Sequence, residues 1–241
     1  MALLRRNISP WVRDLLGASP VVVIEGARQV GKSTLTSMLA DAGMVFTTMD
    51  DDVVRAFARD DPVGFLQSAG SECLVVDEIQ RCPELILPLK MEVDRDRRPG
   101  RFLLTGSANL LRVPGAEDSL AGRAITVRLH PFTQGELAGH RDDWVTWLLD
   151  SERGTTPSAV RDDVVERLVV GGYPPVQEKS SRFRTTWLRD YANRLVERDV
   201  ADVASAQVPV LRQLLCLLAS APGAELIQDR LAQQLSVARG T

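Results

Sequence analysis

Eight consecutive residues, Gly26-Ala27-Arg28-Gln29-Val30-Gly31-Lys32-Ser33, fit the spacing G-x-x-x-x-G-K-[ST]. Glycines at both ends let a backbone curl until successive N–H groups face phosphate oxygens, and the N-terminus of a following helix adds its positive dipole. In such a loop Lys32 neutralises the β- and γ-phosphates and Ser33 places its hydroxyl on Mg²⁺. Thr34 completes the stretch expected to line the nucleotide. A glycine-rich turn with an exposed lysine is the competing reading. The apolar run Val21–Ile24 before the loop and the helical pattern after it argue for strand, loop and helix instead.

A second constellation is Leu74-Val75-Val76-Asp77-Glu78, an apolar run ending in two carboxylates. Asp77 is expected to hold Mg²⁺, and Glu78 sits where ATPases with an added central strand keep the carboxylate that polarises attacking water. The plainer reading is a strand end with two solvated acids. A third is Phe102-Leu103-Leu104-Thr105-Gly106-Ser107. A strand running into small polar residues suits a sensor lying between the other two strands, with Ser107 the first choice for that role and Thr105 the second. An ordinary turn is the rival there. Together these residues predict ATP as ligand, Mg²⁺ as its ion and ATP hydrolysis as the reaction.

The elements that must position these groups alternate along the chain. Apolar segments at Val21–Ile24, Val45–Met49, Leu74–Val76, Phe102–Thr105 and Ala124–Leu129 read as strands. Leu35, Met38 and Leu39 mark one amphipathic helix face between them, and Leu85, Leu89 and Val93 another. That alternation predicts an α/β core with a parallel sheet covered by helices. Beyond Pro131, residues 144–149, 160–170 and 183–200 read as helices, broken by Gly171-Gly172-Tyr173-Pro174-Pro175. Phe183, Trp187, Tyr191 and Leu195 recur every four residues and predict one inward-facing stripe.

Composition bounds the rest. The chain has 241 residues, 44% hydrophobic and 25% charged, with a net charge of −3. That mixture is ordinary for a globular protein and does not form a basic nucleic-acid footprint. The basic stretch Arg95–Arg101 is interleaved with Asp94 and Asp96 and reads as a solvated loop or helix end. No apolar run reaches membrane-spanning length and no signal peptide is visible, so a cytoplasmic location is expected. Cys73, Cys82 and Cys216 lack paired spacing and read as buried thiols, and His130 and His140 have no clustered partners for a metal.

The chain resembles the bacterial and archaeal AAA-type ATPases that carry a C-terminal domain of unknown function. The resemblance runs from about residue 5 to the end. It rests on the loop with its Arg28-Gln29-Val30 interior, Met49-Asp50-Asp51 with Asp61-Pro62, and Val76-Asp77-Glu78-Ile79-Gln80-Arg81. Thr105-Gly106-Ser107, Leu120-Ala121-Gly122-Arg123, Pro131-Phe132 with Gly135-Glu136-Leu137, Gly171-Gly172-Tyr173-Pro174 and Arg198-Asp199-Val200 complete it. It implies a P-loop NTPase core with a five-stranded parallel sheet at residues 1–135, a helical lid at 136–205 and a partial winged-helix segment at 206–241. It also implies an arginine finger, for which Arg123 and Arg198 are the candidates, acting in cis or from a neighbouring subunit. Leu214–Ala219 and Leu226–Leu235 resemble the first two helices of a winged helix. The chain then stops at Thr241, ahead of the expected recognition helix and domain of unknown function.

Three functions compete at this point: a working ATPase, a nucleotide-gated binding module with little turnover, and a nucleic-acid-linked regulator. Glu78 favours the first over the second. The missing recognition helix and acidic balance weigh against the third, so sequence-specific DNA binding by this chain is not expected. Expected partners are ATP and ADP, further copies of the chain in a homo-oligomer, and a protein client of unknown identity, with no membrane.

Overall fold

Strands β1 (Val21–Glu25), β3 (Cys73–Asp77) and β4 (Phe102–Gly106) are built almost wholly from apolar residues and are buried along their full length. That is the signature of strands covered on both faces. In a computed structural model, which describes residues 3–40, 43–106, 120–140, 144–149, 160–200 and 208–237, they pair with β2 (Met44–Thr48) and β5 (Ala124–Arg128). The five strands are parallel, in the order β2-β3-β4-β1-β5. The predicted α/β core with a five-stranded parallel sheet is therefore present. β4 lies between β1 and β3, where the sensor reading needs it.

The period-two alternation of each strand divides the core. Val21, Val23, Leu74, Val76, Phe102 and Leu104 face one layer of helices, α3 (Asp52–Asp60), α4 (Pro62–Gln67) and α5 (Ile86–Arg95). Val22, Ile24, Val75 and Leu103 face the other layer, α1 (Ser9–Leu16) and α2 (Lys32–Leu39). Leu35 and Leu39 bury one stripe of α2, and Leu89 and Val93 bury one stripe of α5. β2 begins one residue earlier than the apolar pattern indicates and, as an edge strand, is only half-buried.

The chain divides into two compact units, Met1–Gln177 and Glu178–Thr241. The first extends past residue 135 because the next segment packs onto the core. The short helix α6 (Gln134–Leu137), closed by a capping box between Thr133 and Glu136, buries Glu136. Phe132 N–H donates to Gly172 O at 2.7 Å, and Val176 is fully buried. Helices α7 (Trp144–Leu149) and α8 (Arg161–Val170) lie between these points.

In the second unit, α9 (Ser181–Arg194) starts at a Ser180 cap and passes into a wider π-helical turn at Leu195–Val200. The expected inward stripe is only half-buried: Phe183 is exposed, and Trp187 stacks on Tyr191 with ring centroids 5.1 Å apart. Helices α10 (Val208–Ser220) and α11 (Gln228–Leu235) follow. Ala238–Thr241, where a recognition helix was expected to begin, lies outside the described residues. Cys73 and Cys82 are buried as expected, whereas Cys216 is exposed on α10. The Arg95–Arg101 stretch also departs from expectation at its end, because Arg101 is buried and pairs with Glu92 at 3.5 Å. Among the described residues, no helix is long and apolar enough to cross a membrane.

Candidate functional site

The parallel sheet brings the C-terminal ends of β1, β3 and β4 to one edge, and the three sequence constellations meet there. β1 ends at Glu25 and the chain turns at once through Gly26. A Cβ on Gly26 would lie 2.5 Å from the Leu129 carbonyl oxygen, so only glycine lets the loop leave the strand this close to the end of β5. Ala27, Arg28 and Gln29 form the outer arc, with Gln29 at φ 62°. Val30 is fully buried in the core and pins the arc from below. Gly31, at φ 96°, caps α2, whose first residues are Lys32, Ser33 and Thr34.

Lys32 folds back into the loop, and Nζ donates to Gly26 O at 3.1 Å and Ala27 O at 3.2 Å. Burial pulls its ammonium below the usual lysine range, opposed by the carboxylates of Glu78 and Asp77 and helped by Arg28. A buried cation held only by carbonyl oxygens is poised for an anion. Ser33 Oγ donates to Asp77 Oδ2 at 2.7 Å, across 44 positions of sequence. Two hard oxygen donors side by side next to a loop of this shape are a set that fits Mg²⁺.

Thr105, fully buried on β4, ties the second constellation together. Its hydroxyl donates to Asp77 Oδ1 and accepts the Glu78 N–H at 3.2 Å. Glu78 itself sits at φ 55°, a left-handed conformation that costs a non-glycine residue about 1 kcal/mol. That kink carries its carboxylate out of the strand line. Gln80 Nε2 donates to Glu78 Oε2, while Gln80 Oε1 is buried with no hydrogen-bond partner among the described residues. Thr105 thus takes a holding role between the two acids, and Ser107, the first choice for the sensor, lies outside the described residues.

Of the two finger candidates, Arg123 is not brought to this edge. Arg123 immediately precedes β5, at the opposite end of the sheet from the loop, five strand residues or roughly 16 Å away. Its Nε and Nη2 donate to both oxygens of Asp94 at 2.8 Å, and this hydrogen bonding holds the Asp94 carboxyl below its usual range. Arg198 falls in the π-helical turn of the second unit, and its side chain lies outside the described residues. One residue beside the loop was missed by sequence reasoning. Arg6 is buried, and its side chain reaches Val30 O from 24 positions upstream. No spacing rule links so distant an arginine to the loop. The one available signal was the Pro131-Phe132 and Gly135-Glu136 pair, to which Arg6 is joined.

Comparison with known proteins shows the family of the core. A family model described as AAA domain matches residues 18–138, and one described as Domain of unknown function (DUF8612) matches residues 161–241. The second match puts a domain of unknown function inside the chain, over the later part of the stretch read from sequence as lid and over the winged-helix segment. The uncharacterized proteins Rv2008c of Mycobacterium tuberculosis and Mb2031c of Mycobacterium bovis are each 31% identical over 244 residues, covering 100% of this chain and 50% of theirs. The chain thus spans about half the length of the curated relatives it matches. The Walker-type ATPase PABY2304 of Pyrococcus abyssi superposes with a TM-score of 0.51 at 15% identity, over 96% of this chain and 87% of that one, a likeness of fold.

Proposed function

Because the chain belongs to the AAA domain family, we propose that it binds Mg·ATP at the Gly26–Ser33 loop and hydrolyses it to ADP and phosphate. The observation that carries this reading is the Ser33–Asp77 pair at 2.7 Å beside a lysine folded into the loop. Gly26 to Thr34 supply the backbone donors and the helix terminus that receive the phosphates, and Lys32 exchanges its two carbonyl partners for phosphate oxygens. Ser33 and Asp77 would hold Mg²⁺, which neutralises phosphate charge when bound. Glu78 accepts the proton of the attacking water as the oxygen–phosphorus bond forms and the bond to ADP breaks. Ser107 as sensor and Arg198 as finger in a homo-oligomer belong to the same proposal.

A second reading, a nucleotide-gated module with slow turnover, is favoured by one observation: the Glu78 carboxylate is already engaged by Gln80. Phosphate release at saturating Mg·ATP separates the two. Under the first reading Glu78→Gln binds nucleotide as the wild type does and releases no phosphate, while Lys32→Ala loses binding. Tight binding without measurable wild-type turnover selects the gated module, and unchanged binding in Lys32→Ala refutes the site.

A further inference from the structure

We infer that Arg6 is a positioning residue that clamps the phosphate loop from behind, tying its shape to the segment around Pro131–Glu136. The inference rests on the nucleotide-binding reading of the Gly26–Ser33 loop and adds to it a residue outside every motif of that loop.

The guanidinium is used in three directions at once. Nη1 donates to Val30 O at 3.0 Å, Nε to Glu136 Oε1 at 3.2 Å, and Arg6 also donates to the carbonyl of His130 through Nη2 at 2.6 Å. Its flat face lies 4.6 Å from the centre of the Phe132 ring. Arg6 and Glu136 are both about 5% exposed, so water replaces none of these bonds. Glu136 is satisfied in turn: Oε1 also accepts the Asn7 N–H at 2.7 Å, and Oε2 accepts the Thr133 N–H at 3.0 Å. A buried ion pair whose cation also reaches two backbone carbonyls, one of them in the loop, is a device for holding geometry.

The Val30 carbonyl is the informative contact. Val30 O and Gly31 N–H belong to one peptide plane, and the chain contains no cis bonds among the described residues. In a trans peptide the two groups point in opposite directions. Pinning Val30 O on the Arg6 side therefore turns the Gly31 N–H to the other side, away from Arg6. That orientation is fixed at the last loop residue before Lys32, where α2 begins and its dipole is concentrated.

The clamp has a second end. Phe132 N–H donates to Gly172 O at 2.7 Å, and a Cβ on Gly172 would lie 2.1 Å from Phe132 O. The two backbones touch, which explains a glycine at that position. Gln177 Nε2 closes the turn by donating to Gly171 O and Tyr173 O. The Pro131-Phe132, Gly135-Glu136 and Gly171-Gly172 motifs are thereby joined through Arg6 to the loop.

The test uses the full chain and two variants, Arg6→Lys and Arg6→Ala combined with Glu136→Gln. The first keeps the charge but lacks the planar fork, and the second removes the pair without leaving a buried carboxylate unpaired. Two readouts are taken: amide hydrogen exchange across residues 26–36 of the ligand-free protein, and Mg·ATP affinity with kcat and KM. Both variants should exchange faster in this segment, including at Leu35, whose N–H donates to Gly31 O at 2.9 Å. Affinity should weaken roughly tenfold or more, as for loss of a charge-assisted bond, with KM rising and kcat little changed. Wild-type exchange in the segment in both variants overturns the inference, as does wild-type affinity in both. If the wild-type chain itself binds no Mg·ATP, the nucleotide reading fails, and the exchange readout alone decides whether Arg6 holds the loop.

Discussion

Thr105→Val removes one oxygen from the centre of the site and almost nothing else. The side chain keeps its shape, but the hydroxyl that donates to Asp77 Oδ1 and accepts the Glu78 N–H is gone. Position 105 is fully buried, so water does not refill the gap. The bond to the carboxylate is worth about 1.5–3 kcal/mol, and the orphaned Glu78 N–H costs a further ~1–3 kcal/mol. The extra buried methyl returns about 0.8 kcal/mol. The net loss expected is about 2–5 kcal/mol, a large share of the ~5–15 kcal/mol that holds a domain folded. Turnover should fall about tenfold to a hundredfold, because the Glu78 backbone loses a bond that keeps it left-handed and Asp77 loses one of two fixed oxygens. Denaturant unfolding measures the first effect and phosphate release at saturating Mg·ATP the second, with Thr105→Ser as the hydroxyl-bearing control. If the valine variant unfolds within about 0.5 kcal/mol of wild type, or if valine and serine variants turn over alike, the hydroxyl is idle and the account is wrong.

Gly26→Ala should destabilise the protein by about 1–3 kcal/mol and weaken nucleotide binding, because its Cβ would meet the Leu129 carbonyl at 2.5 Å; thermal unfolding and calorimetric titration check both. Affinity for Mg·ATP should fall as pH rises through the lowered Lys32 value: the free protein loses its proton there, whereas the bound phosphates keep it, so binding takes up a proton. Calorimetry in buffers of different ionisation heat reads that uptake, and an affinity that stays flat until the ordinary lysine range argues against it. Arg123→Ala should leave turnover unchanged in dilute protein, since Arg123 sits at the far end of the sheet bound to Asp94; a loss of turnover that persists at the lowest protein concentration contradicts that placement.

Much of the fold and the site is legible in the sequence for local reasons. A parallel sheet buried on both faces needs continuous apolar strands, and Val21–Ile24, Leu74–Val76 and Phe102–Thr105 show them directly. The phosphate loop is legible because backbone curvature, charge and hydroxyl fall within eight consecutive residues. What is not legible depends on long-range geometry. The left-handed backbone of Glu78 leaves no trace in a D-E pair, and Gln80 enters only as part of the Val76–Arg81 run that carries the family resemblance, with no contact to Glu78 legible in it. Arg123 follows a plausible pattern, but its position depends on strand register, and Val21 pairing with Ala124 sends it to the wrong end for a finger in cis. The aromatic stripe of α9 has helical spacing, yet spacing gives the face of a residue and not the depth to which it is buried.

The polar groups of the site hold one another, and under the proposed function those contacts bear on how nucleotide would bind. Lys32 is satisfied by two loop carbonyls, Ser33 by Asp77, Asp77 by Thr105, and Glu78 by Gln80. On that reading Mg·ATP would gain only the difference between its own contacts and those it displaces. The displaced bonds are unequal. The carbonyl contacts of Lys32 join a cation to neutral oxygens and leave it desolvated, so phosphate would replace them at a clear gain. The Gln80–Glu78 contact already joins an amide to a carboxylate, and water gains little by replacing it. Under the proposed function, binding at the loop would precede release of the base, with nucleotide first and a free Glu78 second. Gln80→Ala should then raise turnover several-fold at unchanged affinity, because only the second event loses its opposing contact. An affinity change equal to the rate change would place Gln80 in binding, and turnover at or below the wild-type rate would mean that its contact with Glu78 restrains nothing.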